Sequence, residues 1–139
     1  MKVVLDTNFF IYRAIKDSVH HEAAKELLEE VEIWVVPTIV VHELVWGLGE
    51  LLGKEKALRY IKALLSHRKV EIAELSKADI LWTVTMIEAE ELSLARYNDK
   101  LILSVAKRKG LPLASFDKQL LKQAVRLGIS IIPPYSYEH

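Results

Sequence analysis

Short apolar runs alternate with amphipathic stretches along the chain, and that alternation sets the first reading. Lys2 to Leu5 is apolar and β-branched and stops at Asp6-Thr7-Asn8, residues that favour turns and helix starts, so a strand feeding a helix over Phe9 to Ala14 is expected. Asp17-Ser18 is placed to cap a second helix, in which Ala23, Ala24, Leu27, Leu28 and Val31 share a face. Ile33 to Val36 reads as the second strand. Beyond Pro37-Thr38, Ile39 to Leu52 carries a wide apolar stripe through Val41, Leu44, Val45, Leu48, Leu51 and Leu52, and Gly53 ends it. Lys54 to Ser66 is amphipathic through Ala57, Leu58, Ile61, Leu64 and Leu65, and Lys69 to Leu75 holds a third strand.

Ser76 and Asp79 have capping spacing at the head of a long helix over Lys77 to Leu92. Asn98 is placed to cap a helix from Asp99 to Lys109, and Gly110 stands where a left-handed stop is expected. Leu111 to Ser115 returns to strand character, Asp117 to Arg126 is helical and closed by Gly128, and Ile129 to Ile132 is a last strand before Pro133-Pro134. No repeat or linker interrupts the pattern, so residues 1–139 read as a single domain. Strands that alternate with helices predict an α/β fold with a mostly parallel sheet of about four to five strands, covered by helices on both faces.

Composition narrows the class. With 139 residues and 51% hydrophobic content the chain can build one core and is short for two domains. Nineteen basic residues cancel nineteen acidic ones, which excludes the broad positive field of a nucleic-acid coating protein. Zero Cys excludes a disulfide framework, a thiolate metal site and a cysteine nucleophile. No apolar run approaches the roughly 18 residues that span a bilayer, and no secretory signal pattern opens the chain, so a cytoplasmic protein without membrane contact is expected.

In α/β sheets ligands gather beyond the carboxyl ends of the strands. Asp6 and Asp117 follow predicted strands, and Asp99 sits in a helical first turn expected near the same edge. Each acid taken singly has an ordinary use: Asp6 and Asp117 in holding turn or helix amides, Asp99 in complementing a helix dipole. Glu43 resists that treatment, because Ile39, Val40, Trp46 and Gly47, its neighbours one turn away, offer no charge. Two unit charges about 4 Å apart repel by roughly 4 kcal/mol at an effective dielectric of about 20, so four converging acids require a cation. Oxygen-only ligands favour Mg²⁺ or Mn²⁺ over zinc, and such a centre suits phosphodiester hydrolysis.

The stretch VVLDTNFFIY with Asp6 and Asn8, VHELVWG with Glu43, and NDKLILSVAKRKGLPLASFD with Asp99 and Asp117 together resemble the PIN-domain nucleases, most closely the VapC-type toxins. The resemblance spans essentially the whole chain. It implies a PIN-like parallel-sheet fold and a Mg²⁺- or Mn²⁺-dependent endoribonuclease in which Asp6, Glu43, Asp99 and Asp117 hold the metal, supported by Asn8 and Ser115. It also implies a homodimer and a cognate antitoxin partner in a type II pair. Two positions depart from the pattern: Ser115 replaces the usual Thr, and Gln119 stands where a further acid is often found, which opens the question of a second metal. RNA processing outside a toxin pair, a non-catalytic RNA-binding scaffold and a phosphatase are the alternatives.

Arg13, Lys16, Arg96, Lys100 and Lys118 flank the acids in sequence and are candidates for RNA phosphate contact. The Lys107-Arg108-Lys109 run is expected to complement a helix dipole, and His42 to face away from Glu43. Trp46 and Tyr60 lie on two helices whose apolar surface serves either the core or a dimer or antitoxin contact.

Overall fold

A computed structural model describes residues 1–134. Five strands form one sheet: β1 (Lys2–Leu5), β2 (Ile33–Pro37), β3 (Val70–Ala73), β4 (Leu113–Ala114) and β5 (Ile131–Ile132). The helices among the described residues are α1 (Thr7–Ala14), α2 (His21–Glu30), α3 (Thr38–Leu52), α4 (Lys54–Leu65), α5 (Lys77–Ala89), α6 (Tyr97–Lys109) and α7 (Lys118–Arg126), with a 3-10 turn at Leu94–Arg96 before α6. The strand order is β3-β2-β1-β4-β5 and every pairing is parallel. The mostly parallel sheet expected from the sequence is therefore wholly parallel here.

Val3, Val4 and Leu5 are fully buried, as a central strand covered on both faces must be. From β1 the chain first moves outward through β2 to β3, then returns to add β4 and β5 on the other side of β1. Right-handed crossovers accordingly place α1 to α4 on one face and α5 to α7 on the other. The direction reverses between β1 and β4, and the crevice beyond their carboxyl ends is the place where such a sheet accepts a ligand.

Several boundaries differ from expectation for local reasons. The helix expected after Asp17-Ser18 begins at His21, because Ser18 closes a turn instead, its hydroxyl accepting from the His20 amide at 3.1 Å. The helix expected to reach Leu92 ends at Ala89: Glu91 takes a left-handed φ of 52°, and the Leu92 amide bonds back to the Ile87 carbonyl at 3.0 Å. Ser76 and Asp79 do form the reciprocal capping box. Gly110, at φ 64°, stops α6 as expected. The fourth and fifth strands shorten to two residues each.

Candidate active site

The loops that leave β1 and β4 at their carboxyl ends carry Asp6 and the Ser115–Asp117 segment. Asp6 precedes α1, and its side chain makes no full capping hydrogen bond. It is 5% exposed; its Oδ2 accepts from the Ser115 hydroxyl, while its equally buried Oδ1 has no partner. Burial pushes its carboxyl up to about 7, and the charges of Asp99 and Asp117 push the same way against the Ser115 bond and the neighbouring Asn8 amide.

Ser115 is fully buried and its hydroxyl also accepts from the Asp117 amide at 2.9 Å, so one side chain ties the two loops together. Asp117 does cap its helix, Oδ1 accepting from the Gln119 and Leu120 amides at 2.9 and 3.2 Å. The ordinary use therefore holds for one of its oxygens.

Glu43 projects from the second turn of α3 and is gripped from two other helices. Its Oε1 accepts from the Thr7 hydroxyl at 2.6 Å, and its Oε2 from the Asn98 side-chain amide at 3.3 Å. Asn98 thus lies inside α6 and serves Glu43 rather than capping the helix, whose N-cap is Arg96. Asp99 follows in the first turn of α6. Its carboxyl is raised, chiefly by burial and then by Asp117, with Glu43 adding and Arg96 opposing.

Asp6, Glu43, Asp99 and Asp117 line one pocket of about 230 Å³, together with Thr7, Asn8, Ile11 and Ile102. Among the described residues, no three acids or imidazoles stand as a group ready to hold a metal ion, so binding one requires the carboxylates to close in. The donor set nevertheless fits a hard cation. It is oxygen only, it contains a buried carboxylate oxygen without a partner, and it gathers like charge that a divalent ion would neutralise.

The basic residues separate. Arg96 stays at the rim, with Nη1 3.6 Å from Asp99 Oδ2 and Nη2 donating to Gln119 Oε1. Lys118 is exposed on the first turn of α7. Lys100 is fully buried and paired with Glu90 at 2.5 Å, which takes it out of phosphate contact. Lys100→Met is accordingly expected to leave RNA affinity unchanged in a binding titration and to shift stability by no more than about 1 kcal/mol, since Glu90, whose side chain is 35% exposed, can be solvated once its partner is gone and Met fills the buried space. Arg13 and Lys16 lie away from the acids, in a separate cleft. Arg108 is committed to Asp79 and Lys107 to the Leu127 carbonyl, His42 is exposed, and Tyr60 bonds to Arg13.

Thr7 and Asn98 are the site residues that sequence reasoning missed. Thr7 sits between Asp6 and Asn8, where its local signal is that of a turn residue, and its link to Glu43 depends on how α1 meets α3.

A PIN-domain family profile matches residues 3–126, and the chain belongs to the PIN-domain family. No curated protein matches it in sequence. Among solved structures it is similar to the Mycobacterium tuberculosis toxin VapC20, described as cleaving the sarcin-ricin loop, at 17% identity and TM-score 0.77 over 87% of this chain and 94% of that one. It is also similar to a chain of Rickettsia felis VapBC2 bound to promoter DNA, at 23% identity and TM-score 0.68 over 96% and 98%. A third is Neisseria gonorrhoeae FitAcB, at 19% identity and TM-score 0.69 over 97% and 99%. These likenesses show a shared fold.

Proposed function

We propose that this chain is a Mg²⁺- or Mn²⁺-dependent endoribonuclease and the toxin of a type II toxin–antitoxin pair. The observation that carries the reading is the meeting of four acids, from four separate parts of the sequence, in the crevice between β1 and β4. Asp6, Glu43, Asp99 and Asp117 would hold the cation. When bound, the ion lowers the pKa of water, polarises the phosphoryl group and stabilises the departing oxyanion.

The chain's own residues fix the geometry. Ser115 fixes Asp6 in position, and Thr7 and Asn98 hold both oxygens of Glu43, whose remaining lone pairs can orient the attacking water. Arg96 places a positive charge at the rim, where a phosphate flanking the cut would pass. Thr7→Val leaves Glu43 with one donor and is expected to slow cleavage by about 10- to 100-fold without loss of fold, measured by single-turnover kinetics and thermal melting.

The toxin assignment draws on the VapBC complexes among the structural relatives. A cognate antitoxin or a second copy of the chain would find apolar surface on α3 and α4, where Trp46 is 77% and Leu51 59% exposed. A non-catalytic RNA-binding domain is the second reading, favoured by the Arg96 contact to Gln119 and by acids not yet at ligating positions. Incubating the purified chain with single-stranded RNA over a Mn²⁺ titration separates the two. Cleavage that Asp99→Asn abolishes supports the nuclease, and none at any metal concentration overturns it.

A further inference from the structure

At the opposite end of the sheet from the acids lies a cleft of about 490 Å³ with the reverse electrostatic character. Its walls carry five cations, Arg13, Lys16, Lys25, Arg68 and Lys69, against one acid, Glu29. In a chain of zero net charge this is a marked local excess. Among the described residues none of these five is in an ion pair.

The floor is rigid. Trp34, buried in the amino-terminal half of β2, is stacked by His67 with centroids 4.4 Å apart. Arg13 lies over the same indole at 5.1 Å and donates to the Tyr60 hydroxyl at 3.2 Å. Lys69 donates to the Leu28 and Glu29 carbonyls at 3.2 and 2.8 Å. His67 Nδ1 accepts from the Lys69 amide at 3.1 Å, which puts the neutral ring's proton on Nε2. Burial, followed by Arg13, Arg68 and Lys69, holds the His67 pKa below its usual value, so the ring is a neutral donor at pH 7. Lys16, Lys25 and Arg68 are exposed around this fixed centre.

We propose that this cleft binds the phosphodiester backbone of single-stranded RNA, as a second contact remote from the bond that is cut. The identity of the ligand rests on the nuclease reading. Two observations favour a phosphate strand over an acidic protein segment. The apolar lining residues, Leu28 and Trp34, are 1% and 3% exposed, so the cleft offers charge and donors but no apolar anchor. Protein interfaces need such anchors, whereas phosphate binding does not. The second is position: α1 starts at the acid pocket and carries Arg13 in its last turn, and its eight residues span about 12 Å at 1.5 Å per residue. The two sites are therefore within reach of one short stretch of RNA.

The test is equilibrium binding of labelled single-stranded RNA to the full chain in EDTA over a range of salt, comparing wild type with Lys16→Glu/Arg68→Glu. The pair is expected to weaken binding at least tenfold and to lower the slope of log K against log salt by about 1.4, or about 0.7 for each lost phosphate contact. Lys16→Gln/Arg68→Gln, with melting curves for all variants, guards against misfolding and should give the same loss of slope. Inorganic phosphate and poly-glutamate serve as competitors. Displacement of RNA only by phosphate far above the RNA concentration supports the proposal, whereas tight binding of phosphate alone or of poly-glutamate overturns it. Unchanged RNA affinity and slope in both pairs also overturn it, even if wild type cleaves RNA with Mn²⁺. Patch-dependent binding without cleavage would instead retain the cleft and remove the nuclease.

Discussion

Asp6→Asn is expected to reduce RNA cleavage by more than about 100-fold and, in the metal-free protein, to raise stability near neutral pH. The two effects share one cause. The Asp6 carboxyl is held in a buried loop end beside two other acids, and its folded pKa of about 7 lies above the 3.8 of an ordinary Asp. A raised folded value means that the stability this group contributes is fully present below about pH 4, where it is protonated whether the chain is folded or not. That contribution is lost as pH rises through about 7, reaching up to about 4 kcal/mol when the folded protein must keep the charge. Asparagine fills the same space, can accept the Ser115 bond and carries no charge, so its melting temperature should be flat over this window while that of wild type falls. Mn²⁺ at pH 8 should restore wild type by neutralising the carboxylate and leave Asp6→Asn unmoved. Thermal melts from pH 4 to 8, with and without Mn²⁺, check all of this. Parallel curves for the two proteins would mean that Asp6 is not the stressed group the site requires.

The order of elements was legible because each link has a local cause. Val3, Val4 and Leu5 form an unbroken apolar run that suits a strand buried on both faces, Ser76 and Asp79 satisfy each other within one turn, and Gly110 takes the left-handed stop that its missing side chain allows. That Asp6 and Asp117 share one end of the sheet was legible for a different reason: in a parallel sheet, position at a strand's carboxyl end is already position in space, whereas Glu43 stood out only by its charge-free neighbours on α3 and Asp99 by its place in a helical first turn. What failed depended on distant partners. Asn98 has a capping residue's chemistry and a capping residue's place, but Glu43, 55 positions away in sequence, offers its side chain a better acceptor. Lys100 directly follows Asp99 and so looked like a phosphate ligand, yet the turn of α6 carries it 100° round into the core and onto Glu90. Arg13 and Lys16 remain candidates for phosphate contact, but the length of α1 places them in a cleft apart from the acids that start it.

Arg108→Met is expected to cost about 2 kcal/mol of stability while sparing the chemistry of the site. Asp79 is 2% exposed at the head of α5, where the Ser76 amide and the Ser104 hydroxyl bond it at 2.9 and 2.7 Å. Arg108 adds two contacts from α6 at 3.0 and 3.2 Å. Burial alone would raise this carboxyl, but Arg108, Ser76 and Ser104 outweigh it and hold the pKa at about 2. A depressed folded value gives the opposite linkage to Asp6: the stabilisation is present above about pH 4 and is lost as pH falls through about 2. The wild-type acid limb should therefore lose about 2 kcal/mol over that window, and Arg108→Met should lose less because its Asp79 is already less stabilised. The pair clamps α5 onto the later turns of α6, whereas Asn98 and Asp99 sit in the first. Cleavage well below the melting temperature should thus stay within about threefold of wild type, because α6 retains its own backbone bonds and its Asn98 contact to Glu43. Urea unfolding at pH 7 and pH 3, run beside single-turnover cleavage, separates the two roles: a large loss of rate with unchanged stability would place Arg108 in the working of the site instead.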